Sequence, residues 1–453
     1  MSHWKATKVG LNTRIKSVTG IPYRARVRAL WTLSADEFWR YQADAFRRMY
    51  EYARTAIPYY RERSAAYPPM PSVGIQPLEF LASLPVLNRQ LVREHNSAFW
   101  AAPRSPLTVI HSTSGTTGTP LYLAANLWER GQAHAFTEEW LRRLLGTRSP
   151  RTLFLSGFMM PSVDNKELYW VDRLGGNVYL SLYSINAANR DATVDVFDRL
   201  KPQLIFGYPS AIHQLALLLG DRVQPSKDQR IALTTAEVLH AHWRAVIEAS
   251  ICRKVYNHYG SMECSHRAIE CEAGNMHISP MHGIVELLDD QGEPARPGEF
   301  GRVVVTGLLC RSMPLIRYAL GDMAESTGFA VGCPCGLQWP TIGRIEGRCD
   351  DHVRTRDGRQ IGTIAYVLEV LKGTKEAQLV QTDYEKFTCN IVLDEIEARN
   401  VPALEAAVRD RLTQCLQVGD VELDFRYVEA IPRGPRNKFK TVVVDFNPGG
   451  DPG

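Results

Sequence analysis

The chain has 453 residues, 45% of them hydrophobic and 23% charged, with a formal net charge of +4. That balance is globular and excludes wholesale disorder, a collagen-like repeat and a coiled coil. The charge is uneven: residues 1–30 hold Lys5, Lys8, Arg14, Lys16, Arg24, Arg26 and Arg28 with no acid, leaving 46 of the 53 basic side chains against all 49 acids, a net −3. Such a leader reads as a solvated arm, with a membrane surface, a nucleic acid or a transit peptide as alternatives. No apolar run approaches the ~18 residues that span a bilayer. Nine cysteines, an odd number in a long chain, fit a reducing cytoplasm better than a secreted disulfide framework.

In chain order, Ser34-Ala-Asp-Glu37 reads as a capping box. The helix it opens runs toward Ala53, with Phe38, Tyr41, Ala45, Met49 and Tyr52 on one face, and Pro58 ends it. Residues 75–95 read as a loop and a short helix. Strand-like runs at 107–111, 121–124, 152–156, 177–182 and 204–207 alternate with helical patterns at 136–145, 195–200 and 210–219. This alternation predicts an α/β fold with a largely parallel sheet. From residue 284 short β runs at 285–288, 302–307 and 315–318 suggest a small β subdomain. After Gly347 the chain restarts: Asp357-Gly358 signals a hairpin, and two β runs (377–382 and 389–393), a helix (402–416) and a last strand (421–428) make an α+β tail. The expected organisation is a large N-terminal domain, 1–348, with mixed and parallel sheets, and a small mobile C-terminal domain, 349–453.

The segment His111-Ser-Thr-Ser-Gly-Thr-Thr-Gly-Thr-Pro120 carries six hydroxyl residues and two glycines between two strand-like runs. Glycines let backbone amides approach phosphate oxygens, and hydroxyls add donors without bulk. No Gly-Lys-Ser/Thr follows, which disfavours a Walker A loop; a polar hairpin loop is the alternative. Thr113-Ser-Gly-Thr-Thr-Gly-Thr-Pro120 resembles the signature loop of the adenylate-forming superfamily of acyl-CoA synthetases and adenylation domains. Five further elements follow in family order: Thr235-Ala-Glu237, Tyr259-Gly-Ser-Met-Glu263, Tyr318-Ala-Leu-Gly-Asp322, Gly347-Arg-Cys-Asp-Asp351 and Pro432-Arg-Gly-Pro-Arg-Asn-Lys438. The entry region Tyr52–Arg61 with Leu84–Asn88, together with Lys201–Ser210 and Pro314–Tyr318, is similar to the phenylacetate–CoA ligase and capsule-biosynthesis branch.

The resemblance implies ATP-dependent activation of a carboxylic acid as acyl-adenylate. Thr113, Ser114, Gly115, Thr116, Thr117 and Gly118 would hold the β- and γ-phosphates, with Thr116 counted as catalytic beside Glu263 and Lys438. Ala236, Glu237, Tyr259 and Gly260 would line the adenine pocket, Asp322 would accept from the ribose hydroxyls, and Arg348 would sit near ribose and phosphates. Glu263 would bind Mg²⁺, a hard cation suited to carboxylate and phosphate oxygens. Lys438 would bridge carboxylate and α-phosphate, with Lys440 and Arg436 competing for that role and Asn437 standing where the family pattern has glycine. Asp350 would be the hinge. Tyr208, Pro209 and His258, with Gly157–Pro161, would line an acyl pocket suited to an aromatic or hydrophobic acid; core packing is the competing reading. His111 could contact substrate or be a satisfied strand-end histidine.

After the hinge, Arg356-Asp-Gly-Arg-Gln-Ile-Gly362 replaces the Gly-x-Asn-x-Phe-Pro pattern that accompanies coenzyme A in the ligase branch. That departure points to a non-CoA acceptor such as an amine, with a hydroxyl or a thiol also open. An aryl- or arylacetate–CoA ligase is the second reading and a non-catalytic nucleotide-binding scaffold the third. Cys271, His277, Cys333 and Cys335 form a Cys₃His set, and the resemblance to capsule-type relatives raises the expectation of a structural zinc there; Cys264 and His266 are the runner-up ligands, and four unrelated residues the alternative. No nucleic-acid partner is expected.

Overall fold

In the computed structural model the described residues are 2–71, 77–112, 121–155, 168–172, 177–181, 185, 187–263, 265–348, 353–356, 360–361, 367–368, 371, 374–393, 401–416, 421–433 and 439–446. Thr113 to Gly118, Gly157–Pro161, Cys264, Asp350, Asp357-Gly358 and Lys438 lie outside them, as do the side chains of Gly347 and Arg348.

The N-terminal helices are α1 (Ser2–Gly20), α2 (Arg24–Leu30) and α3 (Ala35–Ala56), followed by the short α4 (Pro58–Arg61), α5 (Pro77–Ala82) and α6 (Arg89–Glu94). The capping box forms as expected: Glu37 N–H donates to Ser34 Oγ at 3.3 Å and Ser34 N–H to Glu37 Oε2 at 2.8 Å. Pro58 opens α4 as well as closing α3, because its missing N–H costs nothing in a first turn. A hairpin of β1 (Thr108–Ser112) and β2 (Tyr122–Asn126) flanks the glycine-rich segment and leads into α7 (Leu127–Leu145). That helix begins nine residues ahead of the expected 136, because Asn126 and Glu129 form a second capping box.

The main sheet is built from β3 (Thr152–Leu155), β4 (Tyr169–Val171), β5 (Val178–Leu180), β6 (Leu204–Gly207), β7 (Ile231–Thr235), β8 (Lys254–Gly260), β9 (Arg267–Glu270), β10 (Met276–Ile278) and a late strand. A second sheet comprises β11 (Gly283–Leu288), β12 (Phe300–Gly307) and β13 (Tyr318–Glu325). The late strand, β14 (Thr341–Ile342), completes the first sheet in the order β14-β10-β9-β8-β7-β6-β3-β5-β4, and β15 (Ile345–Arg348) completes the second as β11-β12-β13-β15. In the first sheet β5, β3, β6, β7 and β8 run parallel, and the flanking pairs are antiparallel. The parallel centre is buried on both faces, so its strands read as apolar runs. Helices α8 (Arg190–Leu200), α9 (Pro209–Leu219) and α10 (Ala241–Ser250) cover one face, and α2, α3 and α7 pack on the other. The second sheet closes on α3 to α5 through Phe46, Tyr50, Tyr60, Leu87 and Tyr318.

Two expectations are corrected. The basic leader is not a solvated arm: residues 2–20 are helical and cross α7 where Gly20 faces Gly131. A Cβ on Gly131 would stand 2.3 Å from Thr19 Oγ1, so only glycine admits this approach. Ser17 donates to Glu138 at 2.6 Å and Arg24 pairs with the same buried carboxylate at 2.9 Å. The β run expected at 315–318 begins only at Tyr318, because Arg317 takes φ 52°. Its buried guanidinium reaches Glu286 at 3.2 Å and the carbonyls of Ala82 and Leu84 at 2.9 and 2.7 Å, contacts an extended backbone would break.

In the tail, β16 (Val353–Arg354) pairs with β17 (Gln360–Ile361) across the expected hairpin. Then β18 (Thr374–Asp383), β19 (Lys386–Leu393), α11 (Val401–Leu416), β20 (Glu422–Tyr427) and β21 (Val442–Val444) form a sheet ordered β20-β19-β18-β21, with α11 packed against it. The strand β21, parallel to β18, was not expected; its three residues are too few to show an alternation.

Candidate functional site

The site lies at the ends of β7 and β8. Beyond β7, Ala236 holds φ 69°, a left-handed conformation costing a residue with a β-carbon about 1–2 kcal/mol. It turns the chain so that Glu237 points back into the fold. Glu237 Oε2 accepts from Ser210 N–H at 3.2 Å and its Oε1 from Phe439 N–H at 2.9 Å. Burial raises its pKa above the ordinary carboxylate value.

At the end of β8, Tyr259 donates its phenolic proton to Asp322 Oδ2 at 2.8 Å. Asp322 stands on β13, opposite Arg348 of β15 in the ladder. Gly260 follows Tyr259 in β8, paired with Arg267 of β9. His258 Nδ1 lies 3.1 Å from Thr235 Oγ1, tying the two strand ends together. Tyr208 is buried against α9, with Pro209 at that helix's first turn.

The half-exposed Glu263 follows this strand. The preceding carbonyl, that of Met262, lies 3.4 Å from His111 Nε2. His111 is in β1, so that strand and the residue before Glu263 adjoin. Burial lowers the His111 pKa, which keeps the ring neutral near pH 7. His111, Met262, Glu263, Cys310 and Met313 line one small cleft. No sequence signal marked Cys310 or Met313 as lining it.

Away from this cleft, Cys271, His277, Cys333 and Cys335 bring their donor atoms within 4.8 Å of one another. Cys271 Sγ is 3.6 Å from Cys333 Sγ, and Cys335 Sγ is 3.4 Å from His277 Nε2. His277 Nδ1 lies 3.0 Å from the Trp339 carbonyl, an outer contact that fixes the ring and turns Nε2 to the sulfurs. Three thiols and one oriented imidazole are the donor set of a closed tetrahedral metal site. His266 does not join them; its ring packs 4.6 Å from that of Tyr259.

No family model matches the chain. It is 27% identical over 337 residues to a phenylacetate–coenzyme A ligase of Thermus thermophilus, covering 71% of this chain and 73% of that one. It is 21% identical to protein CapK of Staphylococcus aureus over 80% of this chain and 79% of that protein. The crystal structure of 2-hydroxyisobutyryl-CoA ligase in the postadenylation state superposes with TM-score 0.69 at 19% identity, over 94% of this chain and 92% of that one. The same ligase in its thioesterification state gives 0.53 over the same coverage. With its motifs in family order and these likenesses, the chain resembles the adenylate-forming superfamily, on its phenylacetate–CoA ligase-like branch.

Proposed function

We propose that this AMP-forming ligase activates an aromatic or hydrophobic carboxylic acid and passes its acyl group to an acceptor other than coenzyme A, such as an amine. Activation as acyl-adenylate is the part common to the superfamily. The observation that carries the reading is the Tyr259–Asp322 bond beside Glu263, which assembles residues from two separate sheets on one site.

In the first half-reaction a carboxylate oxygen attacks the α-phosphorus of ATP, a P–O bond forms, and the bond to pyrophosphate breaks. The work left to the protein is positioning and neutralisation of charge. Asp322, held by Tyr259, accepts from the ribose hydroxyls, and Arg348 stands across the ladder from it. Residues 113–118 carry the β- and γ-phosphates. Glu263 would hold Mg²⁺, which supplies positive charge to the phosphate oxygens. Lys438 spans the attacking carboxylate and the α-phosphate. In the second half-reaction the acceptor nitrogen attacks the acyl carbon, the C–O bond to AMP breaks, and the nitrogen releases a proton. The segment Arg356–Gly362, which lacks the pattern that accompanies coenzyme A, is the reason for an amine. The 27%-identical relative named for coenzyme A supports thioester formation as a second reading.

The residues Cys271, His277, Cys333 and Cys335 would hold one Zn²⁺. All four positions are protein ligands, so its role is to tie β10 to the turn that carries Cys333 and Cys335.

Incubating the protein with ATP, an accepted acid and either coenzyme A or a panel of amines separates the readings by product mass. An amide formed with AMP release, and no thioester, is the expected result. A thioester formed in preference to any amide overturns the choice of acceptor.

A further inference from the structure

We propose that Glu237 is a positioning residue for the terminal lysine: its carboxylate clamps the backbone of Phe439, the residue next to Lys438 in sequence, to the N-terminus of α9. This rests on the reading above, in which Lys438 acts in the first half-reaction.

The geometry is a bridge. Ser210 lies in the first turn of α9, where backbone amides lack intrahelical acceptors and the helix end favours negative charge. Glu237 Oε2 takes the amide of Ser210 at 3.2 Å; Oε1 takes the amide of Phe439 at 2.9 Å. One carboxylate thus joins the main body to a residue 202 positions further along the chain. Phe439 adjoins Lys438, and consecutive Cα atoms lie about 3.8 Å apart. Fixing the Phe439 amide therefore restrains the chain one residue from Lys438.

Surrounding contacts lock the same segment. The Phe439 ring meets Trp243 of α10 edge-on at 5.7 Å, and the Arg433 guanidinium covers it at 4.8 Å. Arg433 pairs with Glu376, which also accepts from Gln214 of α9 at 2.7 Å. His240 Nε2 lies 3.0 Å from Thr441 Oγ1. Among the described residues, Glu237 makes the main-chain bond nearest to Lys438. Both of its carboxylate oxygens are engaged in the clamp. If the tail swings away for the second half-reaction, this amide bond is one that must break, so the clamp favours the first half-reaction and opposes the second.

The test compares wild type, Glu237→Ala, Glu237→Gln and Lys438→Ala. Pyrophosphate exchange by Glu237→Ala should lose about 10- to 100-fold in kcat, the worth of one hydrogen bond to a charged acceptor, with the KM for ATP nearly unchanged. Glu237→Gln keeps one acceptor oxygen but turns an N–H toward the second amide, so it should recover only part of the rate. Amide hydrogen exchange at residues 439–444 should quicken in Glu237→Ala and stay at the wild-type rate in Lys438→Ala. If Glu237→Ala does not fold, Glu237→Asp carries the comparison, keeping charge at the helix end with a shorter reach. Unchanged kcat and unchanged protection at 439–444 overturn the clamp; a raised KM for ATP with unchanged kcat makes Glu237 a nucleotide contact instead. If wild type exchanges pyrophosphate with no acid, the proposed function fails, and the hydrogen-exchange arm still decides the clamp.

Discussion

The phenol of Tyr259 and the carboxylate of Asp322 meet at 2.8 Å although 63 residues separate them. The bond joins β8 of the nine-stranded sheet to β13 of the four-stranded one, so two sheets share one site. It also holds Asp322 in one orientation before any nucleotide arrives. Asp322→Ala should raise the KM for ATP about 10-fold or more, the worth of a charged hydrogen bond, with a smaller change in kcat. Tyr259→Phe removes only the orienting bond and should cost less. Steady-state kinetics in ATP check both, and an unchanged KM in Asp322→Ala contradicts the ribose assignment.

The N-terminal helix depends on two glycines. Gly131→Val places side-chain carbons where Thr19 and the amide of Gly20 now stand, 2.3 to 2.8 Å from the new Cβ. Overpacking of this kind costs typically 1–3 kcal/mol. We expect α1 to detach, which limited proteolysis within residues 1–30 would reveal, together with a lower melting temperature. Equal protease resistance in wild type and variant would contradict the docking.

Cys271→Ser should release the proposed metal. Metal analysis of the wild type should find about one zinc per chain, and the variant far less, with a loss of thermal stability that a chelator reproduces in the wild type. Fully active, undamaged wild-type protein without zinc would refute the assignment.

Stability should fall at mildly acid pH. His213 and His240 are buried between α9, α10 and the Phe439–Thr441 segment, with His242 beside them. Burial, together with His242 and His240, lowers the pKa of His213 to about 3; burial with His242 lowers that of His240 to about 4. An unfolded histidine titrates near 6.5. Below that pH the unfolded chain takes up protons that the folded chain does not, so the stabilisation is complete above pH 6.5 and is lost as pH falls toward 4 and then 3. Each group contributes up to about 2 kcal/mol of this loss by pH 5. Melting temperatures at pH 7.5 and 5 should differ in wild type and differ less in His213→Gln/His240→Gln. Equal differences would contradict the account.

Much of the site was legible in the sequence because its chemistry is local. Tyr259 to Glu263 is one short run at a strand end, and the capping box at Ser34 is a four-residue pattern. Cys271, His277, Cys333 and Cys335 were legible as a donor set, and the structure brings their donor atoms within 4.8 Å of one another. What escaped reading depends on distant partners. Nothing near Glu237 announces Phe439, and a carboxylate after a strand reads equally well as a ligand contact. The docking of α1 was hidden because that helix has no strongly apolar face; two glycines 111 residues apart, each ordinary in sequence, make the crossing. Arg317 read as a strand residue because its neighbours are apolar, whereas its buried guanidinium dictates the turn.

The central claim, that this site forms acyl-adenylates, is tested most directly by ATP–pyrophosphate exchange across a panel of aromatic and aliphatic carboxylic acids, run with wild type and Lys438→Ala. The account predicts acid-dependent exchange in wild type that falls by about 100-fold or more without the lysine. Exchange absent with every acid, or unaltered by Lys438→Ala, would contradict it.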